Sequence, residues 1–433
     1  MTDQTDVLEK VRRADADYAC MAYVPDALSE SKNGPLRGVF VGVKDNLCVD
    51  GMPAQAGSRI LEGYVPPFTA TAVSRLQLEG ATVVGKTVMD AFGFGTFNVN
   101  TYKIPKNPHD VSRAAGGSSG GSAVLTAATG LPCVSESTGG SISAPAAFCG
   151  VVGVTPTYGK ISRYGLIDYA NSLDKIGSMA LTVREAFGLI DAMAGPDAKD
   201  MTSLVPAPKK SVQKKAAVVT ELLEKAEPGV RQACMAAVEK LQESGVAVEH
   251  VRLEHTENAL YAYYIIAMAE ASTNLAKYVG LRYGQQLAPE EFETYTDYFT
   301  RVRGTFGPEE KRRILLGSFA RTAGYRGKYY DKAARVRTLV IREMKSLLQR
   351  YDVLLMPSMP CVAPRFSDIE KLSPLEHYAM DVCTVPANLA GLPHASVPIG
   401  KSDGMPTGLQ IVADHFQEDI VKHYGQVVEA QRK

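Results

Sequence analysis

The chain has 433 residues, of which 45% are hydrophobic and 22% are charged. This length and composition are typical of a folded protein with a large core, organised as two domains or as one large α/β unit. Lys and Arg together number 47, and so do Asp and Glu, so the overall charge gives no reason to expect nucleic-acid or membrane binding. The cysteines lack a CxxC pair and no segment is apolar for long enough to span a bilayer, so we expect a cytoplasmic protein with reduced thiols.

Hydrophobic periodicity predicts alternating helices and strands along most of the chain. In chain order they are a helix around Val7, Leu8 and Val11, a strand at 35–43, a helix at 71–79, strands at 81–85 and 216–220, a helix at 182–194 between those two strands, a helix at 230–244, a strand at 246–253, long helices at 260–275 and 312–348, and strands at 351–356, 396–400 and 409–413. A helix that links two strands favours a right-handed crossover and a mostly parallel sheet. The P-loop pattern GxxxxGK[ST] matches residues 80–87, but three of its loop positions belong to a predicted strand, so we reject the match.

The most unusual feature is a stretch rich in Gly and Ser at residues 113–153. Two Gly/Ser clusters, at 116–122 and 138–141, enclose an apolar run at 123–128. A flexible linker would not enclose such a run, so we predict a tight turn that opens a buried helix, and then a second turn that presents Ser141 among free backbone N–H groups. We therefore expect an active site here, with Ser141 as the nucleophile.

A serine nucleophile needs a base, and the seven histidines form no recognisable metal or catalytic motif. Lys44 follows a predicted buried strand, where a lysine must be paired or neutral because an isolated ammonium is costly to bury. A neutral Lys44 would serve as the base with Ser118 relaying the proton, whereas a surface pair between Lys44 and Asp45 fits its position equally well. The elbow pattern GxSxG also matches around Ser119, but weakly in so Gly-rich a segment.

Several motifs in the same order resemble the amidase signature family. They are GVKDN at 42–46, GGSSGGSA at 116–123, TGGSISAPAAFCGVVG at 138–153, PTYGKISRYGL at 156–166 and NLAGLPHASVP at 388–398. The resemblance implies a triad of Lys44, a cis-Ser at Ser118 and the nucleophile Ser141. Backbone N–H groups of the turn would form the oxyanion hole, contributed by Thr138, Gly139, Gly140 and Ser141.

The same resemblance implies an α/β fold with a large mixed, mostly parallel central sheet and helices on both faces. We expect the whole chain, 1–433, to be a single domain. Its signature core would lie at about 35–200, a more variable region at about 205–345, and a return to the core at about 350–415.

Within the family, four segments are similar to the glutaminase subunits of tRNA-dependent amidotransferases: PTYGKISRYGL, SLDKIG at 172–177, KRRILLG at 311–317 and GYRGKYYDKAARVRT at 324–338. This similarity implies that the chain hydrolyses glutamine and passes ammonia to a B subunit, while a C subunit would be a further partner. The complex would use ATP and Mg at the partner to convert Glu-tRNA(Gln) to Gln-tRNA(Gln), or Asp-tRNA(Asn) to Asn-tRNA(Asn). No cofactor is expected in this chain.

The resemblance also implies glutamine-binding residues. Arg313 would bind the α-carboxylate, Asp381 the α-ammonium, and Tyr263 would line the pocket, although the neighbouring Tyr264 is an alternative. A zwitterion needs one fixed cation and one fixed anion, and Arg binds carboxylates through two hydrogen bonds. From the residues alone, Arg313 fits a solvated helix charge and Asp381 a helix cap equally well.

Two positions beside the nucleophile depart from the family pattern. Ser137 stands where the family usually has Asp, and Ser143 where it usually has Arg. These departures would fit a catalytically inactive scaffold of the same complex. A stand-alone amidase of small amides is a second alternative function.

Overall fold

The fold is built on a mixed sheet of eleven strands within residues 4–205 and 208–431, the part of the chain that the computed structural model describes. The α-helices of this part are α1 (Gln4–Tyr18), α2 (Thr71–Leu78), α3 (Gly120–Thr129), α4 (Ser143–Cys149), α5 (Val183–Met193), α6 (Thr220–Lys225), α7 (Pro228–Glu243), α8 (Thr256–Asn274), α9 (Tyr295–Arg303), α10 (Pro308–Arg321), α11 (Tyr330–Leu348), α12 (Phe366–Ile369), α13 (Pro374–Ala379), α14 (Val385–Leu389) and α15 (Glu418–Ala430). The strands are β1 (Met21–Tyr23), β2 (Phe40–Lys44), β3 (Thr82–Thr87), β4 (Lys106–Asn107), β5 (Asp110–Ala114), β6 (Cys133–Ser137), β7 (Val152–Thr155), β8 (Lys175–Ala180), β9 (Lys215–Val219), β10 (Ala247–Val251), β11 (Val353–Pro357), β12 (His394–Ser402) and β13 (Met405–Val412). Strands β4 and β5 form a separate two-stranded sheet, and the others form the large sheet in the order β1-β3-β2-β6-β8-β7-β12-β13-β11-β9-β10.

The predicted large mixed sheet is confirmed, but its strands are not mostly parallel. Among the described strands, β2 is parallel to β3 and β6, and β9 is parallel to β10 and β11. The remaining neighbours are antiparallel. The prediction extended the β2-α2-β3 crossover to the whole chain, whereas β12 and β13 form a hairpin whose turn places Asp403 and Gly404 at φ of 49° and 75°. The late strand β13 therefore lies inside the sheet and not at its edge.

Helices cover both faces of the sheet, as predicted. Alternate residues of β9 point to opposite faces, so Ala216 and Val218 pack in one hydrophobic core while Ala217 and Val219 pack in another. The first core also contains side chains of α2, α5, α7 and α15, and the second contains side chains of α8, α11 and α14. Each core thus lies between the sheet and one layer of helices.

Most predicted elements are present, with boundaries shifted by a few residues. The strand expected at 35–43 is β2, which begins only at Phe40 and continues through Lys44. The single helix expected at 312–348 is wrong, because α10 and α11 are separated by a turn that includes Gly324 at φ +86°, a conformation that does not continue an α-helix. The rejected P-loop match lies in the buried strand β3. None of the helices in the described residues combines the length and hydrophobicity needed to cross a membrane.

Parallel pairing of β2 and β6 brings the separate sequence motifs together. Lys44 is the last residue of β2, and β6 ends at Ser137, so both strands end at the same edge of the sheet. The first Gly-rich turn, which contains a cis peptide bond between Gly117 and Ser118, leads into the buried helix α3. The second turn follows β6 and leads through Ser141 into α4.

Candidate active site

The Lys44 side chain is completely buried beneath the two Gly-rich turns. Its Nζ lies 2.8 Å from Ser118 Oγ, 2.9 Å from Glu136 Oε2 and 3.0 Å from the backbone oxygen of Glu136. The alternative surface pair with Asp45 is wrong, because Asp45 is also buried and its carboxylate faces Lys86 instead, with 3.7 Å between Oδ1 and Nζ. The structure therefore joins Lys44 directly to Ser118.

Ser119, the serine of the weak elbow match, is placed differently from Ser118. It is fully buried, and its hydroxyl donates to the backbone oxygen of Glu136 at 3.2 Å. Within the described chain, Lys44 Nζ hydrogen-bonds to the hydroxyl of Ser118 and not to that of Ser119. The geometry therefore favours Ser118 over Ser119 as the serine that exchanges a proton with Lys44.

Ser141 lies on a narrow cavity at the second Gly-rich turn and is 7% exposed. Within the described residues, the backbone N–H groups of Gly139, Gly140 and Ser141 donate to no protein acceptor. Such unpaired amides at a turn can bind an oxyanion. Thr138, the first of the four residues predicted for the oxyanion hole, turns its hydroxyl away toward buried carboxyl groups.

Neighbouring side chains leave no room for a side chain at either glycine of this turn. A Cβ atom on Gly139 would lie 2.3 Å from the ring and hydroxyl of Tyr263, and one on Gly140 would lie 2.3 Å from Thr384 Oγ1. Gly140 also has φ of +152°, which side chains rarely adopt. These positions let Tyr263 and the backbone approach the cavity closely.

Arg313 lines the same cavity as Ser141 and is only 3% exposed. Its Nε donates to Glu309 Oε1 at 2.7 Å, and its Nη1 donates to the Tyr169 hydroxyl. The guanidinium carbon lies 4.9–5.6 Å from the ring centres of four aromatic residues, Phe94, Tyr169, Tyr264 and Tyr378. Arg313 is therefore not a solvated helix charge, and Nη2 has no acceptor within the described chain.

Asp381 lines the same cavity and provides a carboxyl group there. Its carboxylate accepts hydrogen bonds from Thr96 Oγ1 at 2.9 Å and from the Tyr264 hydroxyl at 2.5 Å. These partners show that its side chain does not cap a helix. Burial raises the pKa of Asp381 to about 6, so the group is still mainly ionised at neutral pH. Tyr263 and its alternative Tyr264 both line the cavity.

The family of the chain follows from its match to known proteins. The family model described as Amidase matches residues 10–421. This chain belongs to the amidase family. In the described chain of this amidase, no histidine lines the cavity at Ser141. The basic side chain within hydrogen-bond distance of Ser118 is that of Lys44.

Two relatives of this amidase are named as the A subunit of glutamyl-tRNA(Gln) amidotransferase. The protein from Methanosarcina barkeri is 46% identical over 405 residues, which cover 90% of this chain and 84% of that protein. The protein from Chloroflexus aggregans is 44% identical over 407 residues, which cover 90% of this chain and 82% of that protein. The crystal structure of the corresponding protein from Thermotoga maritima, which carries the same name, superimposes with a TM-score of 0.85 at 35% identity, covering 98% of this chain and 90% of that one. The predicted family is thus confirmed, and so is the fold, apart from the predominance of parallel strands.

The two departures from the family pattern lie in buried positions of this amidase. Ser137 Oγ is 3.4 Å from Asn388 Oδ1, a long hydrogen bond. Ser143 Oγ is buried and has no hydrogen-bond partner within the described residues. Neither hydroxyl contacts Lys44, Ser118 or Ser141 in the hydrogen-bond pattern of the described chain.

Sequence reasoning missed two acidic residues of this site, Glu136 and Asp174. Glu136 pairs with Lys44, and Asp174 contacts Glu136 through the hydroxyl of Thr138. Burial, together with the nearby negative charge of Glu136, raises the pKa of Asp174. A signal was present: Glu136 is a charged residue inside the short strand CVSES, as Lys44 is in FVGVK, and two such charges of opposite sign in adjacent strands can pair.

Proposed function

We propose that this amidase hydrolyses glutamine as the ammonia-supplying subunit of a tRNA-dependent amidotransferase. The observation that carries the proposal is that Arg313 and Asp381, of opposite charge, lie on the same narrow cavity as Ser141. Glutamine has an α-carboxylate for Arg313, an α-ammonium for Asp381 and a side-chain amide for Ser141. The relatives named as the A subunit of glutamyl-tRNA(Gln) amidotransferase, which this chain covers over more than four fifths of their length, support the same function.

The proposed chemistry is acyl transfer through a Lys44–Ser118–Ser141 triad. Ser141 Oγ attacks the amide carbon while its proton moves to Ser118, and the Ser118 proton moves to the neutral amine of Lys44. The resulting oxyanion binds the free amides of the second Gly-rich turn. The proton then returns through Ser118 to the leaving nitrogen, ammonia departs, and water hydrolyses the glutamyl ester by the same relay.

A second cavity adjoins the one at Ser141. It has a volume of ≈ 200 Å³ and shares Arg313 and Gly95 with the Ser141 cavity. The Ser141 cavity itself has a volume of only ≈ 10 Å³, about the space that one water molecule occupies. We infer that glutamine enters from the larger cavity and that Arg313 shifts as its α-carboxylate binds.

The proposed reaction needs partners outside this chain. Ammonia would pass to a B subunit, with a C subunit in the complex, and ATP and Mg would be used at the partner. The product would be Gln-tRNA(Gln) formed from Glu-tRNA(Gln), and in some systems Asn-tRNA(Asn) formed from Asp-tRNA(Asn), in the cytoplasm. Co-purification from the native host, with identification of the bound proteins and tRNAs, tests this part: glutamine turnover that rises with those partners supports it, and turnover that ignores them contradicts it.

Covalent trapping tests the nucleophile and the substrate together. The reagent is 6-diazo-5-oxo-norleucine, in which a diazoketone replaces the amide of glutamine, and the matched reagent is its asparagine-sized homologue, one methylene shorter. We expect an adduct on the peptide that contains Ser141 with the first reagent, slow labelling with the second, and no adduct in Ser141→Ala. Equal labelling by both reagents would favour a stand-alone amidase, and no labelling at all would favour an inactive scaffold.

A further inference from the structure

A continuous row of buried polar groups extends from Ser118 to Asp174. Lys44 Nζ bridges Ser118 Oγ at 2.8 Å and Glu136 Oε2 at 2.9 Å. Thr138 Oγ1 bridges Glu136 Oε1 at 2.8 Å and Asp174 Oδ1 at 2.9 Å. All five residues are at most 1% exposed, so the row exchanges no hydrogen bond with bulk water.

The contacts of this row determine where its protons lie. The Thr138 hydroxyl has one hydrogen, so it can donate to only one of its two carboxyl neighbours, and the other must donate to it. Both carboxyl groups have further donors: Glu136 Oε2 accepts from Lys44 Nζ and from Asn46 Nδ2 at 3.1 Å, and Asp174 accepts from the backbone N–H groups of Tyr169 and Ala170. The amine of Lys44 contacts Glu136 and not Asp174 in the described chain, and a nearby cation favours the ionised form of a carboxyl group. The negative charge therefore belongs on Glu136, which accepts from Thr138, and the proton on Asp174, which donates to Thr138. The raised pKa of Asp174 agrees with this assignment.

We propose that Glu136 is a positioning residue for the Lys44 base: its carboxylate fixes the amine against Ser118 and stabilises the ammonium that forms when Ser118 gives up its proton. The inference rests on the proposed role of Ser141 as nucleophile. It assigns Glu136 the part that the carboxylate plays beside histidine in Ser-His-Asp hydrolases, where an anion orients the base and stabilises its protonated form.

The proton balance of the step is simple. The Oγ–H bond of Ser141 breaks as its oxygen bonds to the acyl carbon, Ser118 receives that proton and releases its own, and Nζ of Lys44 becomes an ammonium. Glu136 remains ionised throughout, and Asp174 keeps its proton. When the carbon–nitrogen bond breaks, the extra proton returns through Ser118 to the departing nitrogen.

Other charged groups around the pair come from several elements. Asp174 faces Glu136 through Thr138, and Arg163 acts in turn on Asp174. Asp90, whose pKa burial raises to about 7, is close enough to Lys44 to be influenced by its charge. Glu136 is nevertheless the carboxylate in direct contact with Nζ in the described chain, so its removal should affect Lys44 the most.

The pH dependence of serine labelling tests the proposal without glutamine or a partner. The full-length protein is treated with methanesulfonyl fluoride, whose fluoride is displaced by Ser141 Oγ to leave a sulfonate ester, and the rate is measured from pH 5 to 10. In Glu136→Gln we expect the rising limb of the rate to move to lower pH by about one unit or more, because a buried ammonium without its counter-ion loses its proton more readily. We also expect the plateau rate to fall by about tenfold or more, because the ammonium that forms is no longer stabilised.

Two further variants serve as controls. In Asp174→Asn the side-chain amide donates to Thr138 as the protonated acid does, so the rising limb of the labelling rate should stay at the same pH. A shift of this limb as large as that of Glu136→Gln would show that Asp174 is ionised, and would overturn the proton assignment. Glu243→Gln changes an exposed acid of α7 and should match the original protein. If the rising limb of the labelling rate lies at the same pH in Glu136→Gln as in the original protein, the role of Glu136 is overturned. If the original protein is never labelled at Ser141, the proposed function is overturned.

Stability measurements keep the proposal testable if Glu136→Gln folds poorly. In Lys44→Met the Glu136 carboxylate is left buried without the amine that donates to it, and in Lys44→Met/Glu136→Gln the buried negative charge is gone. We expect the double variant to have a higher Tm than Lys44→Met. A double variant that is no more stable than Lys44→Met would show that the two side chains are not coupled, and would overturn the proposal.

Discussion

The amine of Lys44 lies 2.8 Å from the hydroxyl of Ser118, although 74 positions separate the two residues in the chain. This contact is buried, and Ser141 lies on the adjoining cavity. We therefore expect Ser141→Ala to lower the rate of glutamine hydrolysis by about 10⁴-fold or more, the size of loss seen when a serine nucleophile is removed. Ammonia release measures the rate, and an unchanged Tm shows that the fold is intact; turnover near that of the original protein would rule out this nucleophile.

Replacement of Lys44 should affect both activity and stability. Lys44→Ala removes the base, so we expect glutamine hydrolysis to be lost. It also leaves the buried Glu136 carboxylate without the amine that donates to it, and an unsatisfied buried acceptor costs about 1–3 kcal/mol of unfolding free energy, more when it is charged. Chemical denaturation measures this cost, and a rate that persists near neutral pH in the folded variant would remove Lys44 from the mechanism.

Substitution of Asp381 should weaken binding of the α-ammonium of glutamine. In Asp381→Asn we expect KM to rise about 10-fold or more, because a hydrogen bond between charged groups contributes about 1.5–3 kcal/mol. The effect should be much smaller for glutaric acid monoamide, which lacks the α-amino group. Asp368→Asn, at an exposed position, is the matched control. A similar loss with both amides would mean that Asp381 does not bind the ammonium.

Glutamine binding should also weaken in acid. The pKa of Asp381 is raised to about 6 by burial, so its carboxylate becomes protonated as the pH falls through about 6. The charge that attracts the α-ammonium is then lost, and we expect KM for glutamine to rise about tenfold per pH unit below that point. Measured in Asp381→Asn, this acid rise in KM should be absent; its persistence would assign it to another group.

Replacement of Ser143 by Ala should lower neither the rate of glutamine hydrolysis nor the stability of the protein. Its hydroxyl is buried and unpaired within the described residues, so Ser143→Ala removes an unsatisfied group and should raise the free energy of unfolding by about 1 kcal/mol. We expect unchanged glutamine hydrolysis, since this side chain contacts none of the reacting hydroxyls. Chemical denaturation and ammonia release measure the two quantities. A large fall in the rate would show that the position, occupied in the family by Arg, has a functional role here.

Local sequence was sufficient to locate the two Gly-rich turns, the buried helix α3, the strand that ends at Lys44 and the nucleophile candidate Ser141. These features depend on residues that are close together in the sequence. Glycines mark turns, apolar runs mark buried helices and strands, and a lysine at the end of an apolar strand is unusual enough to be noticed. The family resemblance added Arg313 and Asp381, which no local pattern distinguishes from a helix charge and a cap.

Only the tertiary structure decided which groups meet. The antiparallel middle of the sheet depends on pairing between distant strands, so the helix that follows β2 could not predict it. The same is true of the contact between Lys44 and Glu136, because it arises from the parallel pairing of β2 with β6 and from the burial of both side chains. A carboxylate in a short strand is an ordinary residue in the sequence; burial against an amine at 2.9 Å makes it part of the site.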